Sequence, residues 1–265
     1  MTKINNVYIN NEECVMPSVL TQSPIFQVIP QNSPVERKER IEYIGKQRTR
    51  DEAHSFSGYR LDLIRDYPLF HILLMEKQKQ KTDLIKINLD SVLKQLGVKK
   101  PRKQNRENTL YRIWRLGECV ITVLKTKGNK STKISELPDV ITRLILEINK
   151  VDDKNNFTVL FPERINKLIE LFQYQKVDLA EYRQLSLQPS MAIYLAIRSH
   201  AFISKKSLNL TLKTLKVHYK ESNEDKHTMQ DLDKGFQELI EKQFIKSYLE
   251  TKTAKGNVTY EIKIS

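Results

Sequence analysis

The spacing of apolar positions along the chain changes several times, and each change predicts an element. PLFHILLMEK (68–77) is apolar on most sides and begins with Pro68, so it predicts a buried helix. LIKIN (84–88) alternates with period two and predicts a short strand, and LDSVLKQLG (89–97) a short helix closed by Gly97. KKPRKQNRENTLYRIWRLGE (99–118) has helical spacing. CVITVLKTKGNKST (119–132) predicts a strand running into a basic turn, and β-branched strands follow at 140–150 and 156–161 with DDKNN between them. ERINKLIELF (163–172) sets Ile165, Leu168, Ile169 and Phe172 at i, i+3, i+4 and i+7, an amphipathic helix. A polar connection leads to QPSMAIYLAIRSHAF (188–202), whose run MAIYLAI predicts a second buried helix. SLNL (207–210) predicts a strand, and TLKTLKVHY (211–219) a short helix with Thr211 as N-cap. TMQDLDKGFQELIEKQF (228–244) opens with Thr228 and Asp231 at capping-box spacing and carries the stripe Leu232, Phe236, Leu239, Ile240. Two alternating strands around Ala254–Asn257 form a terminal hairpin.

One order therefore occurs twice, over about 68–160 and 188–265: helix, short strand, short helix, longer polar-faced helix, β-hairpin. This is the order of a winged helix-turn-helix, whose third helix enters the major groove beside the hairpin. In residues 1–54 Pro17, Pro24, Pro30 and Pro34 break up short apolar patches, which predicts an extended arm with little core of its own. The expected fold class is α+β: an N-terminal extended arm (1–54) and two tandem winged helix-turn-helix domains (55–175 and 176–265).

Charge sharpens this picture. The 265 residues carry a net charge of +13, which points to an acidic partner, nucleic acid before an anionic membrane surface. The excess is concentrated, with 11 cations and 2 acids in residues 99–133. Placing Leu110, Ile113 and Trp114 inward turns Asn105, Asn108, Arg112 and Arg115 outward, with Gln104 at the edge. Lys99, Lys100, Arg102, Lys103 and Arg106 gather at the helix entry. Arg, Asn and Gln make bidentate contacts to base edges and Lys and Arg hold phosphates, so this is a candidate recognition helix. The competing reading, a solvated face, predicts Glu mixed among the cations, and Glu107 and Glu118 both fall off the expected face. Lys125, Lys127, Lys130 and Lys133 in the following turn form a candidate wing along a phosphate backbone. In the second copy Gln230, Lys234, Gln237 and Glu241 lie opposite the apolar stripe, with His227 at the helix entry and Lys252 and Lys255 in the hairpin, although Asp231, Asp233 and Glu238 stand nearby. Gly235, costly in mid-helix, suits a place where another backbone comes close.

Other chemistry is not indicated. Cys14 and Cys119 are far apart and lack metal-ligand spacing, and the five histidines form no paired motif. His71 and His200 lie on apolar helices and read as packed core residues. GNKST (128–132) lacks the glycine spacing of a phosphate loop. No run is long enough for a membrane span and the polar start is no signal peptide, so the expectation is a cytoplasmic protein without cofactor or catalysis. QLSL (184–187) matches the first four residues of a sliding-clamp-binding motif, but Gln188 stands where an aromatic belongs, and a linker is the preferred reading.

The segments MPSVLTQSPIF (16–26), FSGYRLDLIRDYPLFHILL (56–74), INLDSVLKQLG (87–97), NTLYRIWRLGECVITV (108–123), NFTVLFPERINKLI (156–169) and YRQLSLQPSMAIYLAIRSHAF (182–202) occur in an order that resembles the plasmid replication initiators with tandem winged helices, of the TrfA type. The resemblance implies binding to directly repeated double-stranded DNA sites (iterons) in a plasmid origin and melting of adjacent A+T-rich DNA. It also implies recruitment of a host initiator and replicative helicase, and a homodimer poor at initiation. The alternative is a transcriptional repressor of the same fold.

Overall fold

The computed structural model describes residues 13–21, 25–29, 40–48, 52–125, 140–171, 174–200, 206–219, 225–253 and 256–265. From the N-terminus these form β1 (Glu13–Pro17), α1 (Ser18–Thr21), β2 (Phe26–Gln27), β3 (Arg40–Arg48), β4 (Glu52–Tyr59) and β5 (Leu61–Asp62). The first repeated unit follows: α2 (Asp66–Gln80), β6 (Leu84–Asn88), α3 (Leu89–Gln95) and α4 (Lys103–Gly117). Then come β7 (Val120–Lys125), β8 (Val140–Arg143), β9 (Glu147–Lys150) and β10 (Asn156–Leu160). α5 (Arg164–Leu171), β11 (Tyr174–Asp178) and α6 (Leu179–Arg183) lead to the second unit. It consists of α7 (Gln188–His200), β12 (Ser207–Thr211), α8 (Leu212–Leu215), α9 (Asp225–Glu241), β13 (Ile245–Lys252) and β14 (Val258–Ile264).

The two units have the same sheet. In each, the strand after the first helix pairs with the last strand of the hairpin, in the orders β6-β10-β9 and β12-β14-β13, all antiparallel. The same junction starts each short helix. Asn88 ends β6 and accepts hydrogen bonds from the N–H groups of Asp90 (3.1 Å) and Ser91 (3.2 Å). Thr211 ends β12 and accepts from the N–H of Thr214 (3.2 Å). A side-chain oxygen at this point satisfies N–H groups that the helix leaves open. A third such junction, Asp178 between β11 and α6, sits in the stretch expected to be a plain connection. Gly97 closes the α3 turn at φ +85°, with its N–H on Lys94 O and that of Val98 on Leu93 O, both 2.9 Å.

Three expectations change. The expected single strand 140–150 is two strands: the chain leaves one sheet after Arg143, buries Leu144 and Ile145, and enters another at Glu147. β7 and β8 belong to a four-stranded sheet, β3-β4-β7-β8, so the strands that complete the repeated sheet with β6 are β9 and β10 and not β7. α9 begins at Asp225, three residues before the expected cap, and Thr228 is buried within it.

The extended arm is also corrected. Cys14, Val15, Met16, Leu20, Ile25 and Phe26 are fully buried, and β1 pairs with β11 while β2 pairs in parallel with β5. Short apolar patches between prolines read as an arm because each is too short to predict an element. Long-range pairing gives them partners that local spacing does not reveal. The buried side chains form one contiguous core that runs from Cys14 to Ile262.

Candidate nucleic-acid interface

α4 is held from three sides. Near its start, Arg106 makes a bidentate pair with Asp90 of α3 (Nε–Oδ1 2.7 Å, a second nitrogen to Oδ2 3.0 Å), which fixes the two helices against each other. The hydrogen bond from Arg106 holds the Asp90 carboxyl below its ordinary range. The Asn105 side chain caps the helix by accepting from the N–H of Arg102 at 3.0 Å. Thr109, Ile113 and Leu116 are buried, and Leu110 packs against the core.

The third tie is a buried charge cluster. Asp66, at the start of α2, is 1% exposed and lies 3.5 Å from a guanidinium nitrogen of Arg115 and 4.0 Å from Nε of Arg112. Arg115 also donates to the carbonyl of Arg60, and its guanidinium lies over the Tyr59 ring, 5.5 Å from the centroid. Asp62 accepts from the N–H of Arg65 (2.5 Å), and Asp66 accepts from the N–H of Asp62 (2.9 Å). Burial, reinforced by Asp62, pushes the Asp66 carboxyl up to about 6 against the pull of Arg115.

This cluster rotates α4 relative to the expected face. Arg115 is buried at 4% exposure and Arg112 faces Asp66, so neither stands on the outer surface. Arg106 is committed to Asp90, and Asn105 to the cap. Trp114, expected inward, is 44% exposed. Charge alone places an arginine outward, whereas a buried carboxylate on the neighbouring helix draws it in. The outer face is Gln104, Glu107, Asn108, Tyr111 and Trp114, with Lys99, Lys100, Arg102 and Lys103 exposed at the entry. The amide of Gln104 donates to Asn108 Oδ1 (3.1 Å), and Glu107 lies 3.9 Å from Lys103, so one acid does sit on this face. Of the expected wing, Lys125 ends β7, and Lys127, Lys130 and Lys133 fall outside the described residues. The β9–β10 turn that flanks α4 contains Asp152, which accepts from the N–H of Lys154 (2.8 Å), and Asp153, paired with Lys150.

α9 keeps its expected face. His227, Gln230, Lys234 and Gln237 are all exposed along one side. Lys234 lies 3.9 Å from Asp231, and the Gln237 amide donates to the Tyr248 hydroxyl (3.4 Å), which donates in turn to Asp233. Lys252 of β13 is exposed and 3.6 Å from Glu250, while Lys255 lies outside the described residues. A Cβ on Gly235 would come within 2.9 Å of the Pro189 backbone and of Ile193 Cδ1, the close helix approach that the mid-helix glycine suggests. Opposite the exposed face, Glu238 accepts from the N–H of Ser186 (2.7 Å) and of Leu187 (3.0 Å), and from the hydroxyls of Ser186 and Ser190. That locks the QLSL segment: Leu185 is buried, and the Gln188 amide exchanges two hydrogen bonds with Ile29.

The chain shares its fold with domains 2 and 3 of RctB. One solved structure of those domains matches at 13% identity and a TM-score of 0.59, over 95% of this chain and 99% of that one. A second matches at 11% identity and a TM-score of 0.54, over 94% and 96%. A structure of the Pi initiator protein in complex with iteron DNA matches at 13% identity and a TM-score of 0.47, over 77% of this chain and 93% of that one. No protein-family model and no curated protein matches the sequence. Among the described residues, no helix is long and apolar enough to cross a membrane and no cluster of ligating side chains could hold a metal ion.

The outward Trp114 and the inward arginines are what sequence reasoning missed. The available signal was Asp66, an acid at the head of an apolar helix, which needs a cationic partner once buried.

Proposed function

We propose that the chain is a plasmid replication initiator that binds directly repeated origin DNA sequence-specifically through two tandem winged helix-turn-helix modules. The observation that carries this reading is the repetition of one topology, each copy presenting a longer helix with an exposed polar face, in a chain of net charge +13. In the first module Lys99, Lys100, Arg102 and Lys103 hold phosphates while Gln104 and Asn108 address base edges. In the second, His227, Gln230, Lys234 and Gln237 face the duplex. Two such helices in successive major grooves cover about 20 base pairs. Melting of adjacent A+T-rich DNA, recruitment of a host initiator and replicative helicase, and a homodimer that initiates poorly complete the reading. It requires no catalytic residue and no cofactor.

The test is a small plasmid carrying this gene and its flanking DNA as the only source of replication functions. Replication, with binding to several direct repeats beside an A+T-rich tract, is the expected result. Binding to a single inverted repeat at a promoter without replication makes the protein a repressor. A covalent tyrosyl–DNA adduct makes it a nicking enzyme. Alanine at Lys99, Lys100, Arg102 and Lys103 together is expected to weaken all duplex binding. The salt slope should fall by about 0.9 for each phosphate that is no longer neutralised.

A further inference from the structure

The outer face of α4 does not end in polar side chains. Beyond Asn108 it carries Tyr111 and Trp114, 43% and 44% exposed, with ring centroids 5.5 Å apart and planes at 29°. Trp114 also lies 5.4 Å from the ring of Tyr59, tilted at 56°. Tyr59 is covered in turn by the Arg115 guanidinium, which Asp66 holds. The two exposed rings are therefore the outer end of a built column whose foot is the buried charge cluster. A solvated helix face gains nothing from two such rings in water.

The chemistry of the face names its counterpart. Amide side chains read adenine through N6 and N7 in the major groove, and an apolar surface reads the C5-methyl of thymine. Gln104 and Asn108 supply the amides, and Tyr111 and Trp114 the apolar surface, on one stripe behind an entry of four exposed cations. From Asn108 to Trp114 the helix rises about 9 Å, or about three base-pair steps. Trp114 is already engaged by the rings of Tyr111 and Tyr59, which favours a methyl group over a stacked, unpaired base.

Resting on the reading of α4 as a base-reading helix, we infer that Tyr111 and Trp114 are specificity-determining residues that take up thymine methyl groups in the major groove. The half-site under α4 then carries thymine within about three base pairs of an adenine read by Asn108.

The full chain is used to select its site from random duplex DNA, and the selection is repeated with Asn108→Ala to locate the part under α4. Each thymine there is then replaced by deoxyuridine, which keeps the pairing and removes only the methyl. A loss of about fourfold at one or two positions is expected, the value of one buried methyl. That loss disappears in Trp114→Ala or in Tyr111→Ala, two variants that guard against a folding defect in either. A half-site lacking thymine, or one indifferent to deoxyuridine throughout while Asn108→Ala still weakens binding, overturns the inference and leaves the reading of α4 intact. An Asn108→Ala chain that selects and binds the same site unchanged overturns that reading itself. Tighter, Trp114-dependent binding to single-stranded oligonucleotides assigns the rings to unpaired bases and overturns the methyl contact.

Discussion

Asp66 shows how one side chain can set the face of a helix. Its carboxylate is buried, and the guanidinium of Arg115 beside it is buried too. Removing one partner of such a pair leaves the other charge uncompensated in the interior. Asp66→Ala is expected to cost about 3–5 kcal/mol in urea denaturation, and a loss under about 1 kcal/mol would mean that Arg115 escapes to solvent. His218 is a second such residue. It is fully buried, with Nδ1 on the carbonyl of Phe26 at 2.7 Å, and burial lowers its pKa from 6.5 to about 4. A depressed histidine pKa means that the folded state takes up its proton later than the unfolded one. The contribution to stability is whole above pH 6.5 and is lost as pH falls toward 4. Asp66 acts in the opposite sense over about pH 4 to 6, because its raised pKa favours the folded state as it protonates. The two are separated by comparing wild type with His218→Gln. Between pH 7 and 4 wild type is expected to lose up to about 3 kcal/mol relative to the variant, and parallel pH profiles would exclude His218 as the titrating group.

At the scale of elements, two long helices present polar faces and are positioned by different means. α4 is tied by ion pairs to α2 and α3, and α9 by close packing on α7 and by the Glu238 hydrogen bonds. Gly235 measures the second. Alanine there gains about 1 kcal/mol of helix propensity but pushes a Cβ against the Pro189 backbone, which cannot turn aside as a side chain can. Gly235→Ala is expected to lose about 1–2 kcal/mol net in chemical denaturation, and a more stable variant would show that the helices separate at little cost. The order of elements was legible because each has a period of its own, and the close approach at Gly235 was legible from its cost. The face of α4 was not. Arginine is long enough to reach either way, and whether Arg115 points out or in depends on a carboxylate 49 residues away, at Asp66.

At the scale of the molecule, residues 25–29 join both repeated units. On one side the Phe26 ring packs on Tyr67 and Phe70 of α2, with ring centroids 5.2 and 5.9 Å apart. On the other, the N–H of Val28 donates to His218 O (2.7 Å), and Ile29 exchanges hydrogen bonds of 2.8 and 2.7 Å with Gln188. The segment therefore couples the spacing of the two candidate recognition helices. A chain shortened by its first 29 residues is expected to lose the single cooperative unfolding transition of the full chain by calorimetry, and an unchanged transition would show that the coupling runs elsewhere.

The sequence by itself determined the repeated order of helices, strands and hairpins, the cap at Thr211 and the concentration of positive charge, because these depend on neighbours within a few residues. Tertiary structure decided the rest. It drew Cys14, Val15, Met16, Leu20, Ile25 and Phe26 into the core, placed β7 in a sheet apart from the repeated one, and turned Trp114 outward and Arg115 inward. Each of these depends on strand partners or buried counter-charges far along the chain, and no local period encodes them.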